Sequence, residues 1–192
     1  GCGYKYLCGG PGAPAYLFIH PRHQNKQWPS IPGWMGHLDI YAFAGRYEPN
    51  PGIISQSTGS PVIIPNEIFS AAVEIWEKVS VRKIDKKHES LTRLFHQLIP
   101  QECGSLGAEM ISPAEHSESG GHVSIRHPGA GPVSEALLEH GVVSSFRKPD
   151  SIRFGISPLY HSHQDIWEGI QRLKKVLSGE IWKEERFQKV SV

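Results

Sequence analysis

Gly3-Tyr4-Lys5-Tyr6-Leu7-Cys8-Gly9-Gly10-Pro11-Gly12 sets one lysine between two tyrosines and follows it with a cluster of glycines. An amine becomes a nucleophile when a partly desolvated pocket or nearby positive charge lowers its pKa, and flanking aromatic rings help exclude water. Glycines, lacking Cβ, let the backbone approach a ligand closely. On the residues alone the stretch fits an active-site lysine loop or a surface lysine beside a turn, and the second is the commoner situation.

Downstream, the Gly/Pro turn region Gly9–Pro14 leads into Tyr16-Leu-Phe-Ile19, whose apolar run predicts a buried strand. Residues 21–59 read mostly as loop, punctuated by Trp28-Pro29, Pro32-Gly33 and Pro49-Asn-Pro-Gly52. So long an irregular stretch in a compact domain is more often functional than idle. Helical order begins near Pro65, where Ile68, Ala71, Ala72, Ile75, Trp76 and Val79 recur on one amphipathic stripe, and Ile84, Leu91, Phe95 and Leu98 continue a second. Short strands follow at 109–112, 122–126, 141–144 and 151–155, with helices at about 132–140 and 163–177 and a short helix around Trp182 in the polar tail 179–192. Pro113–Gly121 reads as a loop. This order predicts a small antiparallel sheet with helices on one face, and a boundary near Pro61–Pro65.

The bulk composition narrows the function. Apolar residues make up 39% of the 192, enough for a packed core, and 20 basic residues balance 19 acidic ones at a net charge of +1. That balance gives no footing for a nucleic acid or an acidic membrane surface. No apolar run approaches the roughly 20 residues of a membrane span, and the start has no secretory pattern. Three cysteines without zinc-ligand spacing predict free thiols in a reducing, cytoplasmic compartment. Eleven histidines are scattered without a telling third ligand, so no metal is expected. His122 and His127 are read as facing solvent or a satisfied neighbour.

Several blocks together resemble one family. Tyr4-Lys5-Tyr6-Leu7 with its Gly-Gly-Pro-Gly turn is similar to the lysine motif of the kynureninases. Gly33-Trp34-Met35-Gly36-His37 resembles their Gly-Trp-Phe-Gly-His segment. Tyr47-Glu-Pro-Asn-Pro-Gly-Ile53, Gly59-Ser60-Pro61, His122-Val-Ser, Gly141-Val-Val and Arg153-Phe-Gly-Ile-Ser-Pro-Leu-Tyr160 are similar to later blocks, and Trp182 and Phe187-Gln188 to the tail of bacterial members. The resemblance runs in order along essentially the whole chain. It implies the C-terminal half of a kynureninase, with α/β and α+β character: the C-terminal part of a fold-type I, pyridoxal-phosphate-dependent transferase-like fold. Residues 1–64 would be the end of the cofactor-binding large domain, and 65–192 the small α+β domain with its linking helix. The chain starts at Gly1 without an initiator Met, which fits a fragment that alone neither holds the cofactor tightly nor turns over.

The resemblance also implies roles. Lys5 would carry pyridoxal 5'-phosphate covalently and shuttle protons, while Tyr4 would hydrogen-bond its phosphate and join in acid–base steps. Trp34 and Ser60 would reach the cofactor or substrate of a neighbouring subunit in a homodimer with shared sites. Arg153 would clamp the substrate α-carboxylate, a task suited to a bidentate guanidinium, and His37 would lie near the aromatic end of the substrate. The reaction implied is hydrolysis of the amino acid kynurenine or its 3-hydroxy form to anthranilate or 3-hydroxyanthranilate and alanine, in tryptophan catabolism and NAD biosynthesis. Three positions depart from the family pattern: Cys8 stands where Asn is usual, Met35 where an aromatic is usual, and Ser60 where Thr or Asn is common. Other readings of the residues stay open at this point. Trp34 fits a hydrophobic plug, Arg153 fits a surface pair with Asp150, and the chain fits a cysteine desulfurase-like enzyme or a non-catalytic remnant serving as a dimerisation or binding module.

Overall fold

The protein, described over residues 1–188 in a computed structural model, forms two compact units, Gly1–Lys78 and Val79–Val192. The expected division at 64/65 falls near the start of a helix belonging to the first unit. Residues 189–192 of the expected polar tail lie outside the described residues.

The first unit is largely irregular, as its prolines and glycines predict. It contains the short helix α1 (Pro21–Gln24), 3-10 turns at Trp34–Gly36 and Gly52–Gln56, and the long helix α2 (Ile63–Glu77). The buried strand expected at Tyr16–Ile19 does not form. A single bridge, Cys2 to Ala15, is the pairing there, and Leu17 and Phe18 are exposed. An apolar run becomes a strand only where a neighbouring ladder takes up its backbone groups. The stripe expected on α2 is likewise uncovered: Ile68 and Ile75 are exposed, and Ala72 is the helix's buried residue. Instead α2 meets the lysine loop through Phe69, which lies against Gly3 and Gly9, and through Trp76, whose indole N–H donates to the Leu7 carbonyl at 3.3 Å.

The second unit follows the expected plan. α3 (Val81–Leu98) leads through a π-helical turn, Ile99–Cys103, to β1 (Glu109–Met110) and β2 (His122–Arg126). α4 (Ala130–Glu139), β3 (Ser145–Arg147), β4 (Ser151–Gly155) and α5 (His163–Ser178) follow, with 3-10 turns at Ile181–Lys183 and Glu185–Phe187 around Trp182. The four strands are all antiparallel in the order β1-β2-β4-β3. Strict alternation decides which face is buried. Val123 and Ile125 on β2 oppose Phe154 and Ile152 on β4, all turned inward, and Phe154 meets Phe95 of α3 with ring centroids 5.3 Å apart. Leu91, Leu137, Ile170 and Leu173 of the helices close the same core. Each such side chain contributes about 1.5–3 kcal/mol by leaving water. The helices thus lie on one face, and the other carries the polar residues between.

The strand expected at 141–144 begins later, at Ser145. Gly141 has φ +74 and sits just past the end of α4, where the left-handed conformation favours glycine and ends the helix. Its N–H bonds back to the Leu138 carbonyl, so this stretch closes a helix and does not open a strand. α5 begins with a reciprocal cap. Ser162 Oγ accepts from the Asp165 N–H at 3.2 Å, and the Asp165 carboxylate accepts from the Ser162 N–H at 2.7 Å. The carboxylate also accepts from the Ser162 hydroxyl at 2.7 Å, and the bonds it takes from the Ser162 N–H and hydroxyl hold it below its usual pKa.

Candidate active-site segments

Lys5 and Tyr4 stand on the loop that α2 anchors. Lys5 is exposed, its Nζ lies 5.6 Å from the centre of the Tyr4 ring, and it makes no ion pair among the described residues. Both flanking tyrosines are open to solvent, so within this unit they do not shield the amine as expected. The loop turns immediately after the lysine, with the Cys8 N–H donating to the Lys5 carbonyl at 2.8 Å. Cys8 takes φ +61 to do so. A left-handed backbone is uncomfortable for most L-residues and several-fold enriched in Asn. That is a physical reason for an asparagine at this position, and Cys8 occupies it against its preference.

The Trp34 and Ser60 segments are brought side by side. A Cβ on Gly33 would fall 1.8 Å from the Thr58 carbonyl oxygen, so the backbones touch where only glycine fits. Gly36 is buried, its carbonyl accepting from the Asn50 N–H, while the Leu38 N–H donates to the Glu48 carbonyl. Both bonds are 2.8 Å, and they lace the Trp34–His37 block to the Glu48–Asn50 block. Trp34 itself is 52% exposed within this chain. Ser60 is exposed and has no hydrogen-bond partner among the described residues. His37 is engaged locally: its Nδ1 accepts from the Asp39 N–H at 3.0 Å, its Nε2 faces the Arg46 carbonyl at 3.4 Å, and its ring packs edge-on to Tyr47.

Arg153 belongs to the second unit, at the centre of β4 on the sheet face opposite the helices. Its cross-strand neighbours are Ser124 and Ser145. The pairing with Asp150 does not occur. Asp150 and Glu109 both bind Arg126, at 3.3 and 3.2 Å, and Arg153 has no carboxylate partner among the described residues. An Arg between two serines, half-buried and unneutralised, is ready for an anion from outside.

Elsewhere in the second unit, a cavity of about 540 Å³ opens on the helix side near Val142, Ile156, His161 and Arg172, and Arg153 does not line it. Cys103 is buried and burial pushes its thiol pKa up to about 11, while Cys2 and Cys8 are exposed; all three are free. His127 is buried with a satisfied neighbour: its Nδ1 accepts from the Gly129 N–H and its ring stands edge-on to Trp182. Burial holds its pKa below the usual histidine value. Among the described residues no group of three or more His, Cys, Asp or Glu is placed to hold a metal ion, and no helix is long and apolar enough to cross a membrane.

Comparison of the fold places the chain in a class. It is similar to the cysteine desulfurase of Thermococcus onnurineus NA1 with a TM-score of 0.69 at 16% identity, over 85% of this chain and 42% of that one. A C-DES mutant with glycine covalently linked to its pyridoxal-phosphate cofactor matches at 0.62 and 18%, over 90% and 44%. The architecture is that of the C-terminal part of fold-type I pyridoxal-phosphate enzymes. Sequence then narrows the class: residues 84–173 match the family model of the kynureninase C-terminal domain. The chain is 39% identical to the kynureninase of Deinococcus radiodurans over 177 residues, 92% of this chain and 43% of the relative. It is 33% identical to that of Pseudomonas fluorescens over 188 residues, 98% and 45%. By sequence the chain is similar to the C-terminal part of kynureninases, and it spans less than half the length of these relatives.

Proposed function

We propose that this chain contributes the cofactor lysine and the substrate-carboxylate clamp of a pyridoxal-phosphate-dependent kynureninase. What carries the reading is that Lys5 and Arg153, the residues whose chemistry it needs, have no acidic partner among the described residues of a kynureninase-like sequence. A free primary amine on a glycine-rich loop fits an aldehyde-bearing cofactor, and an unneutralised guanidinium fits a carboxylate. The desulfurase likeness is one of fold alone, at 16% identity.

Bound pyridoxal phosphate would supply the electron sink that lets water cleave the carbon–carbon bond beside the ketone of L-kynurenine, or of its 3-hydroxy form, releasing the anthranilate and alanine. Lys5 would hold the cofactor's aldehyde carbon through Nζ and, once displaced by substrate, take and return protons at the substrate α-carbon. The Tyr4 hydroxyl, with no hydrogen bond among the described residues, would donate to the phosphate. Arg153 would fix the α-carboxylate with two parallel N–H donors, orienting the bond that breaks. Trp34 and Ser60, exposed on two adjoining segments, would serve a neighbouring subunit's site in a cytoplasmic homodimer. His37, its ring nitrogens engaged in its own loop, would offer the substrate a ring face.

The first unit exposes Phe18, Ile31, Phe43, Ile63 and Ile64. An exposed apolar surface of this kind marks an interaction site. We assign its cover to the remainder of a kynureninase-length protein, since the matched relatives are more than twice as long as the stretch they share with this chain. The test uses the complete protein carrying this chain, mixed with pyridoxal phosphate and then reduced with borohydride. The expected result is a visible band fixed by reduction, a pyridoxyl mass on the Lys5 peptide, and neither in Lys5→Ala. A correctly folded complete protein without that band would overturn the reading.

A further inference from the structure

Histidine 88 lies on α3, buried at 9% exposure, with its Nε2 unpartnered and cut off from solvent. Facing it from the loop between β1 and β2 is His116, whose Nδ1 is likewise buried and unpartnered. The two ring centroids are 5.6 Å apart. On the far side of the His116 ring, Nε2 meets the Asp85 carboxylate at 2.8 Å. In a neutral imidazole, a carboxylate on one ring nitrogen favours the proton there and leaves the other nitrogen as the lone-pair donor. That is the arrangement that commonly backs a metal-bound histidine.

We propose that His88 Nε2 and His116 Nδ1 jointly bind one divalent transition-metal ion of the zinc type, with Asp85 as the positioning residue behind His116. The spacing fits. With a metal–nitrogen bond of about 2.0–2.1 Å, an imidazole centroid stands about 3.2 Å from the metal, and two such rings at the tetrahedral angle stand roughly 5.2 Å apart. The observed 5.6 Å corresponds to an angle only slightly wider. Imidazole nitrogens select zinc, copper or nickel over magnesium or calcium. Two protein ligands leave the remaining positions to water that would enter with the ion, since both ligand nitrogens are shut off from solvent in this structure. The ion would tie the loop 112–121 to α3, a cross-link between two elements that no pair of strands joins. The alternative occupant is a single buried water bridging the two nitrogens.

The experiment is a Co²⁺ titration of the full chain at pH 7.5, followed by visible absorption, with the exposed thiols removed by Cys2→Ser and Cys8→Ser. The expected result is one tight equivalent with a ligand-field band, loss of that equivalent in His116→Asn, and binding about 10–100-fold weaker in Asp85→Asn. Asp85 is 64% exposed, so Asp85→Asn reports on the site without disturbing the core. Absence of the band up to millimolar Co²⁺ would leave only the bridging water and overturn the proposal. Retention of the tight equivalent in a folded His116→Asn chain would assign it to the other histidines and overturn it equally.

Discussion

Replacing Arg153 separates a structural arginine from a binding one. The side chain is half-buried at the middle of β4, flanked across the sheet by Ser124 and Ser145, and no carboxylate holds it. Arg153→Gln therefore breaks no ion pair and opens no cavity in the core, which lies on the opposite face. Substitutions of that kind stay within about 0.5 kcal/mol of the parent. Binding is different. Two charge-assisted hydrogen bonds to a substrate carboxylate are worth about 1.5–3 kcal/mol each. Glutamine keeps one neutral donor and recovers about 1 kcal/mol. The net loss is roughly 2–5 kcal/mol, a fall of about 30-fold to several thousand-fold in kcat/KM, at 1.36 kcal/mol for each factor of ten. Arg153→Lys keeps the charge but not the fork and should fall between. The assay is release of the fluorescent anthranilate by the complete protein, with thermal unfolding measured on the same samples. Unchanged kcat/KM would refute the clamp. A stability loss as large as the activity loss would show that Arg153 supports the sheet instead.

Two further outcomes follow from the structure. Cys8→Asn puts a residue suited to a left-handed backbone at φ +61 and should stabilise the lysine loop by about 1 kcal/mol, read as a later urea midpoint; an unchanged or earlier midpoint would argue against strain there. His88, His127 and His161 all have pKa values lowered, first by burial, so the unfolded chain takes up more protons than the folded one once pH drops toward 6.5 and below. Glu102 and Asp165 have lowered pKa values and lose their contribution only at more acid pH. The urea midpoint should accordingly fall between pH 7.5 and 5.5, and a midpoint that stayed level or rose would contradict the histidine account.

The legible parts of the fold are those with a local pattern. His122-Val-Ser-Ile-Arg126 and Ser151-Ile-Arg-Phe-Gly155 alternate so regularly that both strands were readable to the residue. α3 and α5 were readable from their stripes, and the Ser162–Asp165 pair caps α5. Tyr16–Ile19 misled because its apolar character says nothing about whether a neighbouring strand is there to pair with it. Gly141 carried the signal that Val142 and Val143 follow a helix end, but two valines suggest a strand more strongly than one glycine suggests a stop. For the candidate site, Lys5, Trp34 and Arg153 were legible as residue types within blocks. Their surroundings were not. That Arg126, and not Arg153, takes Asp150 depends on which face of β2 and β4 each side chain occupies. The meeting of His88 and His116 depends on a loop folding back across 28 positions, which no spacing rule anticipates.

The order of the strands has one more consequence. The two outer positions of the sheet belong to its shortest members, β1 with two residues and β3 with three, while the five-residue strands are enclosed between them. A long open strand presents a row of unused N–H and C=O groups on which another chain can template itself. Here each rim offers too few to seed such growth. The sheet is closed to fibril-like extension by the brevity of its borders, and any lasting association of this unit has to be made through side chains.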